Sequence, residues 1–181
     1  MRKLLLAGTL ILTIAFGAAA ADHPVVADWS LSTADNEVVK LSEVARQQTT
    51  VLLFWATWCP YCKALMPHLQ SIRLEYGDDV EILAISIFED GDPVGFIDKA
   101  DYDFTLLLNG DKVADDYGVT GTPAVFVVDS ELRMHFDLRK LPRTERPETG
   151  EPPSNSRKAA YRAPFWAAEI RKSIDEVNRG P

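Results

Sequence analysis

Residues 49–62 read TTVLLFWATWCPYC, an almost unbroken apolar run that leads through Trp58 into Cys59-Pro60-Tyr61-Cys62. Seven residues without polar alternation suit a strand buried on both faces. Pro60 then stands where a helix can begin, at a position whose backbone N–H is not needed. Leu65, Leu69, Ile72 and Tyr76 follow at helical spacing, and Gly77 offers a stop. Pro67 lies inside this pattern and predicts a kink rather than an end. A doubly buried strand that feeds a helix needs a sheet covered by helices on both sides.

The remaining segments supply such a sheet. Residues 80–88 (VEILAISIF) form a second strand candidate, and Asp92-Pro93 opens a short helix carrying Phe96 and Ile97. A third strand is expected at 105–108, then a helical turn capped by Asp111 and ending near Tyr117 and Gly118. Residues 124–128 (AVFVV) give a fourth strand. After a turn at 129–131, Met134, Phe136 and Leu138 alternate with His135 and Asp137 in a last strand. The fold class is therefore α/β, a central mixed β-sheet flanked by helices. Residues 141–164 hold five prolines and many charges, which predicts a Pro-rich loop inserted before a C-terminal helix at 165–178.

At the other end, Arg2 and Lys3 precede an apolar run at 4–16 and a small-residue cluster, Ala19-Ala20-Ala21. That is the pattern of a signal peptide at 1–21, cut before Asp22, with an uncleaved membrane anchor as the alternative. Residues 22–181 then form one domain, large enough to bury a core without disulfide staples. The chain has only two cysteines, and two cannot complete a four-ligand zinc site, so the pair reads as a reversible disulfide. The formal net charge of −8, more negative once the basic start is removed, argues against nucleic acid or anionic membrane surfaces as partners.

Several of these stretches together resemble a known family. Asp28-Trp29-Ser30-Leu31, Val39-Lys40-Leu41-Ser42, FWATWCPYC, MPHL and Gly121-Thr122-Pro123-Ala124 before VFVVD are similar to the TlpA/ResA-like periplasmic thioredoxin family, over residues 27–138. The resemblance implies a thioredoxin-like fold, a cis bond at Thr122–Pro123 and disulfide exchange with protein substrates outside the cytoplasm. It also implies a reductant role with electrons from a membrane protein, and no cofactor beyond the cysteine pair. Three positions depart from the family pattern. Tyr61 precedes the second cysteine where proline is common, Leu65 replaces a frequent glutamate, and Leu53 stands where thioredoxin has a buried aspartate.

The chemistry assigns roles to the residues. Cys59 at a helix start faces free N–H groups and the positive end of the dipole, which favour a thiolate. It is the expected nucleophile, and Cys62, one turn in, the more buried resolving thiol. Trp58 and the Thr122–Pro123 segment are expected to bind substrate, while Trp55 belongs to the core. Glu89, at the end of the second strand, is a candidate proton relay, although a solvated loop end explains it equally simply. His68 and His135 are poor third metal ligands. Other readings remain open at this stage: a DsbA-like oxidant, a Cu(I)-binding protein, a peroxidase, an inert disulfide, and an interaction module working through the Pro-rich segment.

Overall fold

A computed structural model describes residues 23–142 and 153–180. The signal-peptide expectation for 1–21 lies outside the described residues. Among these, no helix is long and apolar enough to cross a membrane.

The chain opens with a two-stranded hairpin, β1 (Ser30–Ser32) and β2 (Val38–Lys40), followed by a short helix α1 (Leu41–Ala45). The central sheet comprises β3 (Thr49–Trp55), β4 (Val80–Ser86), β5 (Thr105–Leu107), β6 (Ala124–Val128) and β7 (Met134–Asp137). Its spatial order is β5-β4-β3-β6-β7. The pairs β3–β4 and β4–β5 are parallel, whereas β3–β6 and β6–β7 are antiparallel. Helices α2 (Pro60–Tyr76), α3 (Pro93–Ala100), α4 (Asp111–Asp116) and α5 (Asn155–Arg179) complete the order. This is the helix-flanked mixed sheet the sequence implies, with β3 and β6 spanning the residues expected.

The unbroken apolar run of β3 has its explanation in two cores. Val51, Leu53 and Trp55 point to the face packed by α2 and α5, against Leu65, Leu69, Ile170 and Ile174. Leu52 and Phe54 point to the other face, with Leu41 of α1 and Val113 and Ala114 of α4. Every β3 side chain is buried, so neither face can be polar.

The C-terminal helix corrects the sequence expectation. Residues 141–164 are not all loop, and the helix begins at Asn155 rather than 165. Ser154 caps it by accepting from the Arg157 N–H. Pro164, which reads as a breaker, lies inside the helix on its exposed face. The missing N–H leaves an unpaired carbonyl that water can reach, so the proline is tolerated. Pro67 in α2 is accommodated the same way, exposed within a helix that runs on to Tyr76. Buried Ala163 and Ala167 give α5 a smooth inner face in the core it shares with α2, and Ala159 is buried one turn earlier. Polar contacts fasten the seam, with Arg171 Nε donating to Glu75 at 2.7 Å and Tyr76 donating to Asp175 at 2.7 Å. Burial and that carboxylate push the Tyr76 phenol up to about 12.

Candidate active site

Strand β3 ends at Trp55, and the turn Ala56-Thr57-Trp58 delivers the chain into α2. Cys59 is the N-cap of α2, with extended backbone (φ −80°, ψ 109°), and Pro60 is the first helical residue. The Cys59 sulfur accepts the Cys62 N–H at 3.0 Å. It therefore occupies the place of an N-cap oxygen and satisfies one of the helix's free donors. Cys59 and Cys62 form a disulfide with Cα atoms 5.3 Å apart.

Both sulfur-bearing residues belong to the α2–α5 core, Cys59 at 1% and Cys62 at 0% exposure. The expected contrast in burial between the two is thus small in the disulfide state. What distinguishes them is position, because only Cys59 sits at the mouth of the helix.

The turn before Cys59 is pinned from the end of β4. Glu89 accepts from the Thr57 N–H at 2.8 Å, the Thr57 hydroxyl, the Asp90 N–H at 3.1 Å and the Gly91 N–H at 2.9 Å. Burial alone would raise the Glu89 carboxyl. The bonds from Thr57, Gly91 and Asp90 outweigh it and hold the group below its usual value. A proton relay needs a carboxyl that changes charge near working pH, and this bonding favours a carboxylate anchor, ionised at neutral pH, instead. Gly91 is required here, since a Cβ would run into the Thr57 hydroxyl. The Trp58 indole N–H donates to the Phe88 carbonyl at 2.8 Å. Trp58 and Phe88 are 49% and 42% exposed and form an apolar rim beside Cys59.

The Thr122–Pro123 bond is cis. Because Phe54 pairs with Ala124, the register sets Pro123 next to Trp55, at the sheet end that carries Cys59. The Thr122 hydroxyl is buried without a hydrogen-bond partner. On the helical side, the Tyr61 ring lies 6.0 Å from Trp166 and 5.8 Å from the Arg162 guanidinium. Neither α5 residue is among the expected site residues, since Arg162 falls in the expected loop and Trp166 in the expected C-terminal helix.

The structure brings Cys59, Cys62, Trp58, Glu89, Thr122 and Pro123 to one end of the sheet. His135 is elsewhere, bonded to Asp129 at 2.8 Å beyond the far end of β6, with its ring 4.0 Å from that of His23. Among the described residues, no three His, Cys, Asp or Glu side chains gather as a metal site.

In sequence and in fold the chain is similar to known proteins. The model of the AhpC/TSA family matches residues 24–136. The thiol-disulfide oxidoreductase ResA of Oceanobacillus iheyensis is 38% identical over 101 residues, 52% of this chain and 50% of that protein. The thiol:disulfide interchange protein DsbE homolog of Paracoccus denitrificans is 34% identical over 109 residues, 57% of this chain and 58% of that protein. The chain thus spans little more than half the length of these relatives. An uncharacterized conserved protein of Geobacillus kaustophilus superposes with a TM-score of 0.65 at 21% identity, covering 87% of this chain and 82% of that one. This last likeness is one of fold, and the fold is thioredoxin-like. By its sequence match the chain belongs to the AhpC/TSA family, alongside that family's TlpA/ResA-like members.

Proposed function

We propose that this protein is a thiol–disulfide oxidoreductase that reduces disulfides in polypeptides outside the cytoplasm. The observation that carries the reading is the Cys59 sulfur at the N-cap of α2, accepting the Cys62 N–H. In the reduced protein that donor and the helix dipole favour negative charge on Cys59 over Cys62.

The Cys59 thiolate attacks one sulfur of a substrate disulfide. That S–S bond breaks, a mixed disulfide forms, and the other substrate sulfur leaves as a thiolate that takes up a proton. Cys62 then gives up its proton and attacks the Cys59 sulfur. This closes the Cys59–Cys62 bond and releases the second substrate thiol. Two electrons pass to the substrate, and a dithiol donor, proposed to be a membrane protein, must return them. The exposed Trp58–Phe88 rim offers apolar contact to the polypeptide. Thr122, before cis-Pro123, offers its backbone for strand-like pairing.

Direction depends on which form of the pair is more stable. A fully buried pair in an apolar core, with the ionised Glu89 bonded to the preceding turn, disfavours a thiolate and favours the disulfide. That supports a reductant. The Cys62 N–H bond to sulfur and the helix dipole pull the opposite way and favour an oxidant. The basic start and apolar run of residues 2–16 support export through a cleaved signal.

Trapping tests the order of attack. Reduced Cys62→Ser protein mixed with a peptide disulfide should accumulate a peptide adduct on Cys59, detected by mass spectrometry. Reduced Cys59→Ser protein should accumulate none; an adduct formed on Cys62 at comparable rate would overturn the assigned roles.

A further inference from the structure

We infer that the cleft between the cis-proline segment and α5 is a side-chain pocket that reads an acidic residue beside the target cysteine of a substrate polypeptide, with Arg162 as the charge-reading group. The inference rests on the exchange reading above and adds a substrate class to it.

Position comes first. The cleft has a volume of about 180 Å³ and is walled by Pro123 on one side and by Arg162 and Trp166 on the other, with Leu138, Arg139 and Leu141 between. Trp166 and Arg162 both lie against Tyr61, which stands between the two cysteines. A group seated in the cleft is therefore within a side chain's reach of the disulfide, on the side where a substrate strand would pass Pro123. Small-molecule sites run to roughly 300–1,000 Å³, so a space of this size suits one side chain of a bound polypeptide.

Charge comes second. Among the described residues, two arginines and no carboxylate line the cleft, although the chain as a whole carries a net charge of −8. The two arginines are not equivalent. Arg139 is committed to the fold, paired with Asp137 through two bonds of 2.9 Å and donating to the Tyr117 and Gly118 carbonyls. Arg162 is half-buried and forms no ion pair among the described residues, and its one contact of note is with the Tyr61 ring. A guanidinium held against an aromatic face keeps its N–H fork for a carboxylate. Partial burial beside Trp166 reduces solvent screening of that pairing.

The third point is origin. The family match ends at residue 136, so Leu138, Leu141 and both α5 residues of the cleft lie beyond it. Most of the pocket is therefore built from residues outside the matched stretch. A specificity element in that place can vary without disturbing the exchange chemistry.

The test uses the reduced protein and cyclic peptide disulfides that differ only in having Glu, Gln or Lys on either side of one cysteine. Rate constants come from acid quenching and mass spectrometry. The readout is the Glu-to-Lys ratio, from which any effect on the chemistry common to both peptides cancels. At low ionic strength the ratio should be about three- to fivefold or more, and it should shrink as salt is added. It should fall to near one in Arg162→Gln, invert in Arg162→Glu and partly recover in Arg162→Lys. A ratio near one in the unaltered protein, or a ratio unchanged in Arg162→Gln, overturns the inference while leaving exchange itself intact. Failure to reduce any of the peptides, Gln-flanked included, overturns the exchange reading and this inference with it.

Discussion

The turn that carries Cys59 and the helix that packs beside it are held by opposite kinds of order. Thr57, Trp58 and Cys59 are fixed by directed bonds, to Glu89, to the Phe88 carbonyl and from the Cys62 N–H. Helix α5 is fixed chiefly by shape, a row of buried alanines and isoleucines in the core shared with α2 and β3, with ion pairs only at its margin. The turn belongs to the stretch matched by the family, and the helix does not. The difference teaches how an exchange site can be kept while its surroundings change. Bonds set where the sulfur sits, and packing sets what lies next to it.

The largest effect should come from disturbing the packed element. Ala163 is 1% exposed, and Ala163→Leu inserts methylenes where α5 approaches the α2 core. It should lower unfolding free energy by about 1–3 kcal/mol in denaturant titrations. The matching change on the outer face, Ala168→Leu, should move it by less than about 0.5 kcal/mol. Equal effects at both positions would mean that α5 is not packed as described.

Next in size is the bonded turn. Glu89→Gln replaces an ionised acceptor with an amide whose NH₂ end faces donors. It should cost about 1–2 kcal/mol at neutral pH. The sign with pH follows from the depressed carboxyl. Its contribution is complete above the ordinary value of 4.5 and fades as pH falls through the lower folded value. Unaltered and Glu89→Gln proteins should therefore converge in stability on acidification, and a gap that persists in acid would show that Glu89 acts through something other than its charge.

The smallest effect carries a diagnostic sign. In a continuous helix, Pro164→Ala restores a hydrogen bond and relieves a clash, and should raise stability by about 0.5–1 kcal/mol or more. In a loop the same change would lower stability by freeing the unfolded chain. The direction of the shift therefore decides between the helix seen from Asn155 onward and the loop that the sequence suggests.

How much could be read without the structure follows the same division. β3 and β6 are legible because strands buried on both faces leave continuous apolar runs, TTVLLFW and AVFVV. The Cys59 cap is legible because Cys-Pro at a strand end is itself a helix-start signal. The Glu89–Thr57 bond joins residues 32 positions apart, and nothing local in the sequence announces it. The first ten residues of α5 are hidden by proline and charge. Yet the signals were there: Ser154 as a cap and Ala159, Ala163 and Ala167 at intervals of four. The composition of residues 141–164 masks that spacing, and with it the placement of Arg162 beside Tyr61.

The reduction potential of the Cys59–Cys62 pair tests the central claim most directly. The protein would be equilibrated in glutathione or dithiothreitol buffers of graded ratio, its thiols trapped, and the oxidised fraction read by mass spectrometry. A reductant built on a buried disulfide should fall near the thioredoxin end of the range, at about −270 mV. A value near the DsbA end, at about −120 mV, would contradict it. The bond from the Cys62 N–H would then outweigh burial, and electrons would flow from substrate to protein.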